Sequence, residues 1–225
     1  MKKANTSILW EGLSEYTGQS IYTTINLTST NIKTGNIPQI TMLCTDEKPT
    51  EALKSGLDEA ICGGCRLRPI NHKQLKMEDQ PCYVNCGFGP NAIHRTKEKL
   101  LPTDPAATYE IGRDGAHGDP AARPKNVSLS IRAKFKKLLG YTHNWQDKKS
   151  QYLSKWCMAS IHSLSEKIEA NKKGFRTFRT VKFAASKLAS DEIVCPNFTR
   201  SIQCKDCGLC AGNDVKAKNI VIPIH

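Results

Sequence analysis

The ten cysteines constrain this chain of 225 residues more than any other feature, because eight of them form two groups of four. The first group has the spacing Cys-x2-Cys-x16-Cys-x3-Cys, and the second has the spacing Cys-x8-Cys-x2-Cys-x2-Cys. Closely spaced cysteines present several thiolates from one turn to a metal. We therefore predict two metal sites, with the ligands Cys62, Cys65, Cys82 and Cys86 in the first and Cys195, Cys204, Cys207 and Cys210 in the second.

The two groups favour different metals. Two short pairs about 16 residues apart are typical of a structural zinc site. Three cysteines on one tight loop match three corners of a 4Fe-4S cluster, and Cys195, which precedes Pro196, can supply the fourth ligand as in bacterial ferredoxins. Three close cysteines also occur in zinc sites, so zinc remains the alternative cofactor.

The cysteines are predicted to be reduced. The N-terminal residues include Lys2 and Lys3 but no apolar stretch of the kind that a secretory signal requires. No apolar run approaches the ~20 residues that cross a bilayer. We therefore expect a cytoplasmic protein that does not enter a membrane, in which Cys44 and Cys157 are small buried hydrophobes.

The hydrophobic pattern predicts one α/β domain over residues 1–225. Residues 1–60 are β-rich, with strands expected at 19–28 and 38–45 and a short helix at 50–60. Residues 61–90 hold the first cysteine group, and residues 190–225 hold the second group and a final strand. Residues 109–183 alternate between strands and helices, which is typical of a parallel sheet. The fold class is thus a partial or reduced barrel-like parallel sheet with two cysteine knuckles.

Within residues 109–183, strands are expected at 109–112, 141–145, 157–161 and 175–183. A helix is expected where Val127, Ile131, Phe135, Leu138 and Leu139 form an apolar stripe, and another around 152–156. A third helix is expected at 163–171, with Ser163 and Glu166 forming a capping box.

Polar residues follow the predicted strands and indicate a site. Parallel α/β sheets bind ligands at the carboxyl ends of their strands. The candidate catalytic residues at these ends are Asp114, His117, Asp119 and His143. We expect Asp119, His143 and Cys82 to surround one cleft.

The positive charge is concentrated in one region. Residues 125–187 contain 15 Lys and Arg residues against three acidic residues, which accounts for the whole net charge of +12. Such a region favours anionic partners, including nucleic acids. The candidate nucleic-acid-binding residues are Arg132, Lys134, Lys136, Lys137, Arg176 and Arg179, with Trp145 and Phe178 as stacking surfaces.

Several segments resemble a cysteine-rich family of phage- and plasmid-encoded proteins. They are Ile61-Cys62-Gly63-Gly64-Cys65, Cys82-Tyr83-Val84-Asn85, Gly118-Asp119-Pro120-Ala121-Ala122, Gly140-Tyr141-Thr142-His143-Asn144-Trp145, Phe175-Arg176-Thr177-Phe178-Arg179, Glu192-Ile193-Val194-Cys195-Pro196 and Cys204-Lys205-Asp206-Cys207-Gly208-Leu209-Cys210. That family is distantly similar to phage proteins with a Cys-Tyr-Ala motif, which in turn resemble reduced radical-SAM barrels.

The resemblance implies that Cys62, Cys65 and Cys82 hold an iron–sulfur cluster whose open iron binds S-adenosylmethionine. The radical-SAM spacing Cys-x3-Cys-x2-Cys is absent, and Cys86 as a fourth ligand would close the site. A closed site would be structural or would transfer electrons.

Three functions remain open at this stage. The first is an iron–sulfur protein, either a radical-SAM-like enzyme or a remnant of one. The second is a zinc-stabilised nucleic-acid-binding protein, and the third is a structural or host-interaction protein whose metals are staples. No Walker-type phosphate loop and no Gly-x-Ser-x-Gly elbow is present in the sequence, so nucleotide hydrolysis and serine-esterase chemistry are disfavoured.

Overall fold

The computed structural model describes residues 5–74, 82, 84–181 and 188–223. Their central feature is one sheet of nine strands in the order β1-β2-β3-β4-β5-β6-β7-β9-β8. The strands are β1 (Thr6–Leu13), β2 (Ser20–Asn26), β3 (Gln39–Cys44), β4 (Tyr109–His117), β5 (Phe135–Thr142), β6 (Cys157–Ile161), β7 (Thr177–Val181), β8 (Glu192–Val194) and β9 (Asn219–Pro223).

The sheet changes from antiparallel to parallel along its width. Strands β1, β2 and β3 pair antiparallel, and every pair from β3 onward is parallel. The prediction of an α/β fold with a mostly parallel sheet and a β-rich N-terminal part is confirmed. The sheet is open, with β1 and β8 at its edges, so the described strands do not close into a barrel.

The helices are short and connect the strands. They are α1 (Pro49–Ser55), α2 (Glu59–Cys62), α3 (Gly89–Arg95), α4 (Lys125–Ala133), α5 (Leu164–Lys172), α6 (Pro196–Arg200) and α7 (Cys204–Cys207). A 3-10 helix spans Lys148–Lys155 before β6. None of the helices in the described part of the chain is long and apolar enough to cross a bilayer.

The start of α5 follows the predicted cap in part. The Ser163 hydroxyl accepts a hydrogen bond of 3.1 Å from the Glu166 backbone N–H, which satisfies one free donor of the first helical turn. The Glu166 carboxylate accepts from the backbone N–H of His162 at 2.6 Å instead of from Ser163. The helix therefore begins where the sequence indicates, with its carboxylate contact shifted by one residue.

The predicted helical stripe at 127–139 is wrong in its second half. Helix α4 ends at Ala133, and Phe135 begins β5. Leu138 and Leu139 are both buried because they lie on opposite faces of a strand that is covered on both sides. Leu138 packs in a large cluster with Trp156, whereas Leu139 packs in a separate cluster with Ala211.

Strand β4 is longer than the predicted strand 109–112, since it continues to His117. Gly115 has a φ of 68°, and the pairing register of β3 with β4 shifts between Arg113 and His117. The backbone is therefore distorted at Gly115, inside the strand. As a result Asp114 and His117 are strand residues and not loop residues.

Candidate functional site

Asp119 is the centre of a buried polar network at the carboxyl end of β4. Gly118 turns the chain with a φ of 81°, and the Asp119 backbone N–H donates to the carbonyl of Ile61 at 2.6 Å. The Asp119 carboxylate caps a short 3-10 helix by accepting from the Ala121 N–H at 3.0 Å. Only 5% of Asp119 is exposed, so its oxygens depend on protein donors.

Those donors come from the carboxyl end of β5. The Thr142 hydroxyl donates to the Asp119 carboxylate at 2.9 Å, and the His143 backbone N–H donates at 2.7 Å. The Asn144 side-chain amide donates at 3.0 Å. Burial raises the pKa of Asp119, and the donors from Ala121, His143, Thr142 and Asn144 oppose that rise.

The loop of the first cysteine group is attached to the same network by Asn144. The Asn144 amide donates to the carbonyl of Cys62 at 3.2 Å, and its oxygen accepts from the Gly64 N–H at 3.0 Å. Gly63 has a φ of 54°, which lets the chain turn at the end of α2. This clamp places the Cys62–Cys65 loop at the carboxyl ends of β4 and β5.

The four N-terminal cysteines are linked through Cys82, which raises the pKa of Cys62, Cys65 and Cys86. Burial raises the pKa of Cys62 above its usual range and that of Cys65 to about 12. Negative charge at Asp119 and at Cys82 adds to the rise at both thiols. These thiols are protonated without a metal, and a metal that bound them would displace their protons.

The fourth cysteine, Cys86, faces a different partner. Its buried sulfur lies 3.6 Å from Nδ1 of His117. Burial raises the pKa of Cys86 to about 12 and lowers that of His117 to about 4, so both side chains are neutral. Cys86 and His117 thus form a neutral buried pair behind the end of β4.

Asp114 lies in the core and does not face the predicted cleft. Its carboxylate forms a fully buried ion pair with Arg123 at 2.7 Å and accepts from the Trp156 indole at 3.3 Å. The predicted position of Asp114 at a strand end is therefore wrong, because β4 continues past it. The structure brings Asp119 and His143 together with the cysteine loop and assigns Asp114 a structural contact.

A small cavity of about 70 Å³ opens beside this network. The rings of His143 and His162 stack across it with centroids 5.8 Å apart. Arg66, which follows Cys65, forms an ion pair with Glu166 at its rim. The cavity lining comprises Gly64, Arg66, His143, Trp145, Gln146, Ser160, His162 and Glu166.

Sequence reasoning missed Asn144 and the rim pair of Arg66 with Glu166. Asn144 directly follows the candidate residue His143, so its position after a predicted strand was an available signal. The contact of Arg66 with Glu166 joins residues 100 positions apart. Only the tertiary fold reveals such a contact.

The second cysteine group lies beside the face of β5 that carries Leu139. Cys204 and Cys207 bound helix α7, and Gly208 ends that helix with a φ of 63°. Cys204 and Cys210 pack against the cluster that contains Leu139. Burial raises the pKa of Cys210 to about 12, and Cys195, Cys204 and Cys207 add to the rise, so all four thiols are within electrostatic range.

No three His, Cys, Asp or Glu side chains within residues 5–74, 82, 84–181 and 188–223 form a group that could hold a metal ion. The predicted cysteine knuckles are therefore not confirmed, although the members of each group lie within electrostatic range of one another. The donor chemistry still fits a metal, since three thiols in one place and four in another are the ligands that zinc and iron–sulfur clusters use.

Most candidate nucleic-acid-binding residues make internal contacts. Arg179 forms a buried ion pair with Glu192 at 2.7 Å, and Arg132 binds Asp214. Arg176 donates to the carbonyls of Leu209, Gly212 and Lys218. Lys134 donates to the Pro105 carbonyl at 2.6 Å, and Lys137 lies against Gly208. Lys136, in contrast, is exposed beside Glu110. The predicted stacking residue Trp145 is buried, and Phe178 packs on Tyr141.

Comparison with known proteins adds no relative. No protein-family model, no curated protein and no solved structure matches the chain.

Proposed function

We propose that the protein is an iron–sulfur protein whose N-terminal cysteines Cys62, Cys65 and Cys82 hold a reactive 4Fe-4S cluster in a radical-SAM-like enzyme. The observation that supports this proposal is the Asn144 clamp, which holds the Cys62–Cys65 loop beside Asp119. Ligands of parallel α/β sheets bind at this edge. A cluster held there would be within reach of a substrate. A metal with a purely structural role would not need this position.

The position of Cys86 supports three ligands over four. Cys82 raises the pKa of Cys86 as it does those of Cys62 and Cys65, but the Cys86 sulfur also contacts His117, and Asp119 adds to the rise at Cys62 and Cys65. A three-thiolate set leaves one coordination position for a substrate or cosubstrate. When bound, such a cluster supplies an electron to S-adenosylmethionine.

The chain's own residues would position what binds there. Asn144 fixes the cysteine loop, and Asp119 fixes the backbone at His143. The His143 ring and the His162 ring form two walls of the adjacent cavity. Burial lowers the pKa of His143 to about 4, so this imidazole is neutral at pH 7 and can accept a hydrogen bond through its unprotonated nitrogen.

The resemblance to phage- and plasmid-encoded proteins supports the same proposal. We place the protein in the cytoplasm of a bacterial host, where thiols remain reduced and oxygen-sensitive clusters are assembled.

The test is anaerobic purification with analysis of iron, zinc and acid-labile sulfide. We expect iron and sulfide in the wild type and a clear loss of iron in Cys65→Ser. The matched control is Cys44→Ser, because Cys44 lies in the same apolar cluster as Cys62 and donates to the Leu57 carbonyl at 3.4 Å, as a serine can. Colourless protein with stoichiometric zinc, or equal iron in both variants, would contradict the proposal.

A second candidate is the zinc-stabilised nucleic-acid-binding protein. One observation favours it: Lys136 is about three-quarters exposed in the basic region. The internal contacts of Arg132, Arg176 and Arg179 weigh against it, because those cations are not presented to a phosphate. The metal analysis separates the two candidates.

A further inference from the structure

The C-terminal cysteines lie among cations. The Cys204 N–H donates to the backbone carbonyl of Lys33 at 2.9 Å, and Arg113 lies two residues after Ile111, which packs with Cys204 and Cys210. Arg176 donates to the carbonyls of Leu209 and Gly212, which flank Cys210. Lys137 reaches the loop between Cys207 and Cys210, since a methyl group on Gly208 would lie 2.8 Å from its Nζ. The site is therefore surrounded by positive charge from four separate parts of the chain.

Two of these cations have a donor without an acceptor. Nε of Arg113 and Nε of Arg176 are buried and have no hydrogen-bond partner in the described part of the chain. Arg176 is held firmly, because its terminal nitrogens donate to the carbonyls of Leu209 and Gly212 at 2.8 Å each. The Arg113 guanidinium lies 5.8 Å from the ring centroid of Tyr141. Buried donors without acceptors are rare and costly, which points to an absent partner.

The chemistry of that partner follows from the charge. The buried Nε donors of Arg113 and Arg176 need acceptors, and thiolates on a metal centre would supply negative charge to balance both guanidinium groups. An iron–sulfur cluster also has inorganic sulfides, which accept hydrogen bonds beyond those that the cysteine sulfurs accept. A single zinc ion has no such extra acceptors.

We propose that Lys33, Arg113, Lys137 and Arg176 form a cationic cage for an anionic iron–sulfur cluster at Cys195, Cys204, Cys207 and Cys210. Part of the basic charge that suggests nucleic-acid binding in the sequence thus serves an internal cofactor. This inference rests on the proposed iron–sulfur function and extends it to the second cysteine group.

The test compares two neighbouring lysines on β5. Lys137 lies against the cysteine loop, and Lys136 points into solvent, so Lys137→Gln and Lys136→Gln remove the same charge at different distances from the site. Both are made in full-length protein in which Cys62, Cys65 and Cys82 are all alanine, which leaves one cluster. The measurements are iron and sulfide per chain, the rate of iron release to a chelator, and the midpoint potential with dithionite as reductant.

We expect the parent variant to retain iron and sulfide. Lys137→Gln should release iron roughly tenfold faster, as expected for the loss of a close charge in a partly buried site. Its midpoint potential should fall, because an anionic cluster gains an electron less readily without the cation. Lys136→Gln should behave like the parent. Zinc without iron in the parent, or identical behaviour of both lysine variants, would overturn the proposal.

The outcomes separate this inference from the proposed function. Iron lost only with Cys65→Ser, with zinc at the C-terminal site, would refute the cage and leave the proposed enzyme site standing. Iron retained in full after loss of all three N-terminal cysteines would refute the enzyme site alone. If the triple variant fails to fold, Lys137→Gln and Lys136→Gln are made in the wild-type protein. Two clusters should then release iron in two kinetic phases, and Lys137→Gln should accelerate only one of them.

Discussion

Asn144 joins three parts of the candidate site with a single side chain. Its amide donates to Asp119 and to the Cys62 carbonyl, and its oxygen accepts from Gly64. Two of the three partners need a donor and the third needs an acceptor, and the Asn144 side-chain amide supplies both from one group. The position of the cysteine loop therefore depends in part on Asn144, a residue outside the cysteine group.

We predict that Asn144→Asp lowers both stability and iron content. The substitution keeps the shape and the acceptor but replaces the donor with a second carboxylate next to Asp119. Loss of these buried hydrogen bonds should cost about 1–3 kcal/mol, measured by urea unfolding. Asn213→Asp is the control, since Asn213 makes one exposed hydrogen bond to the Gly174 carbonyl. Unchanged iron content in Asn144→Asp would show that the clamp is not needed for the cluster.

At the scale of elements, β8 is attached to β7 across β9 by a buried ion pair. Arg179 on β7 donates to the carboxylate of Glu192 on β8 through Nε at 2.8 Å and Nη2 at 2.7 Å. Both side chains are nearly inaccessible to solvent. This bidentate contact fixes the short strand that leads directly to Cys195.

We predict that Glu192→Gln destabilises the fold by about 3 kcal/mol, because it leaves Arg179 buried without its counter-charge. The measurement is the free energy of unfolding in urea at neutral pH. Glu110→Gln is the matched control, since Glu110 pairs with Lys136 on the surface, where ion pairs contribute little. A similar loss in both variants would contradict this explanation.

The ion pair of Arg179 with Glu192 also predicts that the free energy of unfolding depends on pH. Interaction with Arg179 and the Ala189 N–H lowers the pKa of Glu192 below its usual value despite burial. Its stabilising contribution is therefore present above the unfolded-state pKa and is lost as the pH falls through the lower folded-state pKa. Glu192→Gln should lack this part of the acid-induced loss of stability.

The sequence predicts helices and strands well where its apolar residues follow a single helical or strand periodicity. Strands β2, β3 and β6 and helix α5 lie close to their expected ranges. The prediction fails at α4 and β5, because a strand covered on both faces presents consecutive apolar residues that also fit a helix. Asp119 contacts the backbone of His143, but of the three residues expected around one cleft only His143 is among those that line the cavity. Asp114 lies away from it, because β4 continues past Gly115. The C-terminal cations could not be predicted, since Lys33 and Arg113 are remote from those cysteines in sequence.

At the scale of the whole molecule, the charge imbalance is only partly available to a partner. Arg132, Arg176 and Arg179 are used within the fold. A high net charge by itself therefore overstates the surface that could meet a nucleic acid.

We predict weak binding to single-stranded oligonucleotides with a shallow salt dependence. Each phosphate contact contributes a slope of about −0.7 in the logarithm of affinity against the logarithm of salt. The six candidate residues acting together would give about −4, and we expect a much smaller value. Fluorescence anisotropy across a salt series measures it. A slope near the full value, reduced by Lys136→Ala, would restore the nucleic-acid candidate.

The strand order at one end of the sheet has a consequence for how the protein is made. Strand β9 follows β8 in the sequence but lies between β7 and β8, and the Cys195 N–H donates to the Val221 carbonyl on β9 at 2.8 Å. On the ribosome, β8 emerges before the strand that it must pair with. Cys195 therefore reaches its place only once residues 219–223 have left the exit tunnel. The C-terminal cysteine site is therefore completed only after β9 has emerged, and a chain stalled before residue 219 would leave these thiols outside their folded surroundings.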